Sequence, residues 1–164
     1  MSSSAAGWPG ANAPWPWLAG VVALLLGVPP PLAALSLRTG AGDDVVHINT
    51  LDSVFHAAIT VDGGSETDTI NLNTNLTLGS ATSAGDLNLT AETINLGGSL
   101  VTINTANAAE AGSVAFSGEV VLGTDVAVLT DGLDSDGDLE FDGNVRGNQK
   151  LTLTADTGQI DFLS

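Results

Sequence analysis

Cysteine and tyrosine are absent from this 164-residue chain, and basic residues nearly so, with only Arg38, Arg146 and Lys150. Without cysteine there is no disulfide framework and no thiolate metal site. Three basic side chains form no phosphate-binding patch, which excludes nucleic acid as a partner, since that affinity rests largely on Lys and Arg contacts. The same scarcity excludes an anionic membrane surface. Charged residues make up 13% of the chain, about half the usual share. Asp and Glu account for 19 of them, so the net charge is −16 and cations are the natural counterpart. A helical period is missing too: no 12-residue stretch beyond Thr39 repeats its apolar residues at helical spacing. At 43% hydrophobic, the chain is nevertheless too apolar for intrinsic disorder.

Residues 1–38 differ from everything that follows. Residues 1–16 mix Ser, Ala, Gly, Pro and Trp without period, and residues 17–28 form a 12-residue apolar run ended by prolines at 29–31. Such a run falls short of the roughly 20 residues of a membrane span and matches the apolar core of a signal peptide. Ala34 and Ser36 supply small residues before a cleavage point, although no Lys or Arg precedes Arg38. Residues 1–38 are expected to be a signal peptide, a signal anchor or another segment outside the β core.

Residues 39–164 repeat. Asp-Val-Val-His-Ile-Asn at 44–49 returns as Asp-Thr-Ile-Asn-Leu-Asn at 68–73 and as Glu-Thr-Ile-Asn-Leu-Gly at 92–97, each step being 24 residues. Gly-Ser-Val-Ala-Phe-Ser-Gly-Glu-Val at 112–120 returns 25 residues later at 137–145, with a shorter echo at 158–162. Leu-Asn-Leu-Thr-Ala-Glu-Thr at 87–93 resembles 151–157, which reads as a separation of three coils. Within these blocks apolar and polar residues alternate, the pattern of half-buried strands, and Gly, Asn, Asp and Ser mark tight corners between them. Three short strands in 20–25 residues make one coil of a parallel β-solenoid. An antiparallel sandwich does not explain the recurrent 24-residue step. Five or six coils are expected, a rod of about 25–30 Å at about 4.8 Å per coil. Val46, Ile70 and Ile94 should form one inward column. The chain stops at Ser164, two residues past Phe162, without the polar cap that solenoids need, so a fragment of a longer array is expected.

Gly-Asp-Asp-Val-Val (42–46), Thr-Val-Asp-Gly-Gly (60–64), Asp-Thr-Ile-Asn-Leu (68–72) and Leu-Thr-Leu-Thr-Ala-Asp-Thr-Gly (151–158) resemble repeats of large secreted bacterial surface proteins. These are the filamentous-haemagglutinin-like and autotransporter-like adhesins. The resemblance implies a right-handed parallel β-helix, and a secreted or outer-membrane-associated location. It further implies a non-catalytic structural or adhesive role. The implied partners are neighbouring repeats of the same parent protein and a host-cell or carbohydrate surface ligand.

Calcium is the one cofactor the residues raise, which makes a calcium-stabilised module that folds on export the alternative function. The calcium-binding pattern Gly-Gly-x-Gly-x-Asp-x-apolar-x is approached at 39–47, with Thr39 in the first Gly position, and at 63–71, with Glu66 in the third. Asp44 and Asp68 are the candidate ligands there. The pattern stacks copies 9 residues apart, whereas these lie 24 apart. Gly at positive φ, with Asp capping the bend, explains the same residues as a corner. Asp134, Asp136 and Asp138 supply the second candidate, within a cluster that includes Asp131, Glu140 and Asp142. An EF-hand does not fit, since Leu139 and Val145 occupy its Gly and final Glu positions. His47 and His56 lack a third ligand at a recognised spacing. No Gly-x-Ser-x-Gly elbow is present, and only Arg146 and Lys150 are on offer as the basic partner that polysaccharide cleavage combines with acids, so no enzyme is expected. Asn49 and Asn73 fall in register as a structural amide ladder. Asp44, Asp68 and Glu92 should stack as a like-charge column, at a cost of about 1 kcal/mol per contact even in water.

Overall fold

The computed structural model describes the backbone of residues 21–26 and residues 34–79, 84–100, 102–106 and 109–163. The strands are, in chain order, β1 (Val21–Leu26), β2 (Ala34–Arg38), β3 (Val45–Leu51), β4 (Ala58–Asp62), β5 (Thr69–Leu72) and β6 (Leu76–Thr77). Then follow β7 (Leu87–Leu96), β8 (Thr102–Asn104), β9 (Val114–Leu122), β10 (Val126–Leu129), β11 (Leu139–Asp142), β12 (Val145–Arg146), β13 (Leu151–Thr154) and β14 (Ile160–Leu163). Among the described residues there is no helix, and so none that is long and apolar enough to cross a membrane.

The chain is a parallel β-solenoid of about five turns, as the alternation and the repeat step require. Three faces recur. The first is β2, β4, the start of β7, the start of β9, β11 and β14. The second is β1, β3, β5, the ends of β7 and β9, and β12. A separate four-stranded sheet of β6, β8, β10 and β13 makes the third. Val46 pairs with Ile70 and Ile70 with Ile94, all at most 1% exposed, so the expected inward column exists. Phe116, Phe141 and Phe162 stack in another, with ring centroids 5.3 and 4.9 Å apart. Side chains with a coil on either side, such as Ile70 and Phe141, are buried, whereas Phe162, paired on one side only, is 57% exposed.

Two expectations need correction. Residues 34–38 are not outside the β core: β2 pairs with β4 in the 24-residue register, and Leu35 and Leu37 pack on the buried cluster. The backbone of β1, from the apolar run, likewise pairs with β3. The alternation of Ala34-Leu-Ser-Leu-Arg38 continues the repeat, and the expected cleavage point at Ser36 would cut a paired strand. The rest of the apolar run and the prolines at 29–31 lie outside the described residues. The likeness between 87–93 and 151–157 is not a register either. Leu87 lies on the first face, paired with Ile59 and Val114, whereas Leu151 lies on the third, paired with Val126. Any Leu-Thr-Leu alternation suits any face, so composition alone did not identify the column.

Corners carry the backbone demands. Gly64, at φ +102°, lies so close to its neighbouring coil that a Cβ would meet the Gly40 carbonyl oxygen at 1.8 Å. Two residues on, Glu66 occupies the position that Gly42 takes one coil earlier, and it holds φ 85° as a non-glycine residue. That conformation costs a side-chain-bearing residue about 1–2 kcal/mol. Glu66→Gly is therefore expected to stabilise the fold by about 1 kcal/mol after allowing for the added freedom of the unfolded chain. Gly64→Ala should destabilise it by more than about 1 kcal/mol. Urea unfolding of both variants beside the parent checks the pair, and equal midpoints for all three would contradict the corner geometry.

Candidate functional site

A corner residue of a solenoid leaves the sheet ladder, so its N–H needs another acceptor. In this molecule side chains of the adjacent coil provide it. The Asp44 N–H donates to Asp68 Oδ1 at 2.9 Å, and the Asp68 N–H donates to Glu92 Oε2 at 2.7 Å. One residue earlier the stitch runs the other way: Asp43 Oδ1 accepts the Thr67 N–H at 3.0 Å. The expected column Asp44, Asp68, Glu92 is thus real. It is a ladder of charge-assisted hydrogen bonds, each carboxylate set against the backbone dipole of the coil before it. Asp68 is 1% exposed. Its Oδ2 is buried without a hydrogen-bond partner, and a Cβ on Gly63 would come within 2.7 Å of it, so glycine at 63 makes room for the carboxyl.

The second acidic cluster is divided in the same way. Asp86 Oδ1 accepts the Ser113 N–H at 2.9 Å, Ser113 Oγ accepts the Asp138 N–H at 3.1 Å, and Asp138 Oδ1 accepts the Gln159 N–H at 2.9 Å. Asp136 Oδ1 accepts the Gly132 N–H at 2.9 Å, while its Oδ2 takes the Thr157 N–H at 3.1 Å and the Thr157 hydroxyl. Asp134 is exposed, and its N–H donates to the Ala109 carbonyl at 2.8 Å. Among the described residues no three His, Cys, Asp or Glu side chains gather into a group that could hold a metal ion. Asp44 and Asp68 are brought together; Asp134, Asp136 and Asp138 address different backbone groups.

Other polar columns follow the same rule. The Asn73 amide donates to Asn49 Oδ1 at 2.9 Å, the expected ladder, and the Asn95 amide donates to Asn71 Oδ1 at 2.9 Å, which the sequence reading missed. Thr105 and Thr130 are fully buried, and each hydroxyl donates to a glycine carbonyl seven residues ahead, Gly112 and Gly137, at 2.5 and 2.7 Å. A Thr-x6-Gly pair repeated after 25 residues was the available signal. Asp125 and Asn75 accept the Lys150 and Thr102 N–H groups in the same manner.

His47 stands in register with Asn71 and is half-buried. His56 Nδ1 lies 3.2 Å from the Thr77 carbonyl oxygen, beside a cleft of about 290 Å³ lined by Leu51, Asp52, Ser53, Asn75 and Thr77. Asp52 Oδ1 accepts the Val54 N–H at 3.0 Å, so both it and His56 are tied to backbone. Among the described residues Arg38 pairs with Asp62 at 2.6 Å and Arg146 with Glu119 at 2.7 Å. The hydrogen bond from Arg146 holds the Glu119 carboxyl below its ordinary pKa. Compared with protein-family models, curated proteins and solved structures, the chain matches none.

Two outcomes are expected from this geometry. Asp68→Ala removes the carboxylate acceptor of the Asp44 N–H and should cost about 1–3 kcal/mol, whereas Asp134→Ala, at an exposed side chain, should change stability by less than about 0.5 kcal/mol. Equal effects in denaturant melts would contradict the ladder. The Asp136 carboxyl is held below its ordinary pKa, first by the Thr157 hydroxyl and then by the Thr157 N–H. Its contribution to stability is thus complete above the unfolded aspartate value of about 3.9 and is lost as pH falls through the lower folded value. Carboxyl titration by NMR should show Asp136 protonating below the ordinary aspartate range, and Thr157→Ala should move it upward.

Proposed function

We propose that the chain is a non-catalytic structural spacer, a stiff solenoid segment of a protein displayed outside a bacterial cell. The observation that supports this reading is the assignment of its acids. Asp43, Asp68, Asp86, Asp125, Asp136 and Asp138 all accept backbone N–H groups from adjacent coils. Groups so engaged hold the rod together and are not presented as a converging set to a substrate. The repeat likeness to secreted adhesins and the acidic, cysteine-free composition support the location. An adhesive role would call for a ligand surface, and the cleft beside His56 is the place to look for one.

A calcium-stabilised module is the second reading, favoured by the buried, unpartnered Asp68 Oδ2. The two separate by melting in NaCl and CaCl₂ at matched ionic strength. The spacer reading expects equal melting temperatures and no effect of a chelator, because the corner carboxylates are held by backbone N–H groups and need no cation to stay in place. A rise specific to calcium, lost in Asp68→Asn, would favour the second reading. Location is tested by protease shaving of intact cells that carry the gene: peptides from residues 40–163 should be released without lysis, and recovery only after lysis would overturn the extracellular reading.

A further inference from the structure

The third sheet lacks a strand in one coil. Its order is β13, β10, β8, β6, and one coil before β6 the chain runs through residues 52–57 as a turn. That turn is closed by its own groups: the Phe55 N–H donates to the Asp52 carbonyl at 2.9 Å, and the Val54 N–H donates to Asp52 Oδ1 at 3.0 Å. Phe55 joins the buried core, whereas Asp52 and Ser53 stay exposed. Between this turn and β6 lies the cleft of about 290 Å³ lined by Leu51, Asp52, Ser53, Asn75 and Thr77. Asp52 is the one charged residue in that lining. The basic residues of the chain are placed elsewhere: Arg38 on Asp62, Arg146 on Glu119, and Lys150 just ahead of β13, at the opposite edge of the sheet from β6.

We propose that this cleft binds a primary ammonium group, the side chain of a lysine presented by a basic partner. The argument is charge complementarity at two scales. A net charge of −16 draws cations toward the whole molecule, and a cleft holding one carboxylate and no base gives one of them a place to rest. An ammonium is a compact charge with three donors. The cleft offers the Asp52 carboxylate and the Ser53 and Thr77 hydroxyls as acceptors, and Leu51 gives the aliphatic stem an apolar wall. A guanidinium is served less well. Its fork grips a carboxylate through both oxygens, and Asp52 Oδ1 is already taken by the Val54 N–H. The volume is at the low end of the range of about 300–1,000 Å³ for small-molecule sites, so it suits one side chain and not an extended polymer. This inference stands apart from the spacer reading: melting and protease shaving test that one, and ligand binding tests this one.

The test titrates the full 164-residue chain with Nα-acetyl-lysine methylamide and follows backbone amides by NMR. Shifts should gather at Ser53, Val54, Asn75 and Thr77, saturate, and weaken with added salt. Acetylating the probe at Nε should abolish them, a comparison that needs no variant of the protein, and the arginine analogue should bind less tightly. Asp52→Asn keeps an oxygen for the Val54 N–H and removes only the charge. The spectrum of the free chain should therefore be preserved while affinity falls about fivefold or more. Asp134→Asn alters the net charge by the same amount at an exposed site in the other acidic cluster, and should leave affinity unchanged. Shifts spread over the acidic surface, or equal losses in the two variants, would mean nonspecific attraction and overturn the proposal. Equal binding of the acetylated probe, or tighter binding of the arginine analogue, overturns it as well.

Discussion

A single coil of this protein has no interior. Its inward residues, such as Ile70 in the aliphatic column and Phe141 in the phenylalanine column, are buried because the same positions recur above and below them. Parallel pairing makes this recurrence strict: each residue has one partner in the next coil, and a one-residue slip would turn every inward side chain to solvent. Stability is therefore a property of neighbouring coils.

The second demand comes from the corners. A chain that turns three times per coil takes backbone N–H groups out of the ladder at each turn, and buried ones must find acceptors. Aspartate is suited to the task because its short side chain reaches the adjacent coil and its charge strengthens the bond. This gives the acidic composition a structural reason. The charge that repels along the Asp44, Asp68, Glu92 column is the same charge that holds corner N–H groups in place. The two arginine bridges contribute less, since exposed pairs are worth at most about 1 kcal/mol.

These two features shape what the molecule can do. A rod whose described corner acids are engaged in holding coils together suits the proposed role of a spacer, and the cleft beside His56 is a place where that regularity breaks.

Much of this was legible in the residues. The 24- and 25-residue steps, the alternation and the positive-φ glycines specify strands, corners and the columns of Val46, Ile70 and Ile94 without reference to coordinates, because a parallel stack copies sequence period into spatial register. The column of acids was legible for the same reason. What it does was not: only the folded chain shows that Asp68 faces the N–H of Asp44 while Asp43 faces that of Thr67, since adjacent residues at one corner point to opposite neighbours. The membership of residues 34–38 in the stack was also decided by tertiary structure, because an apolar and proline-rich context hid an alternation too short to read alone. Period determines which residues stack. Direction, partner and face depend on how the chain turns between strands, and that is set by contacts distant in sequence.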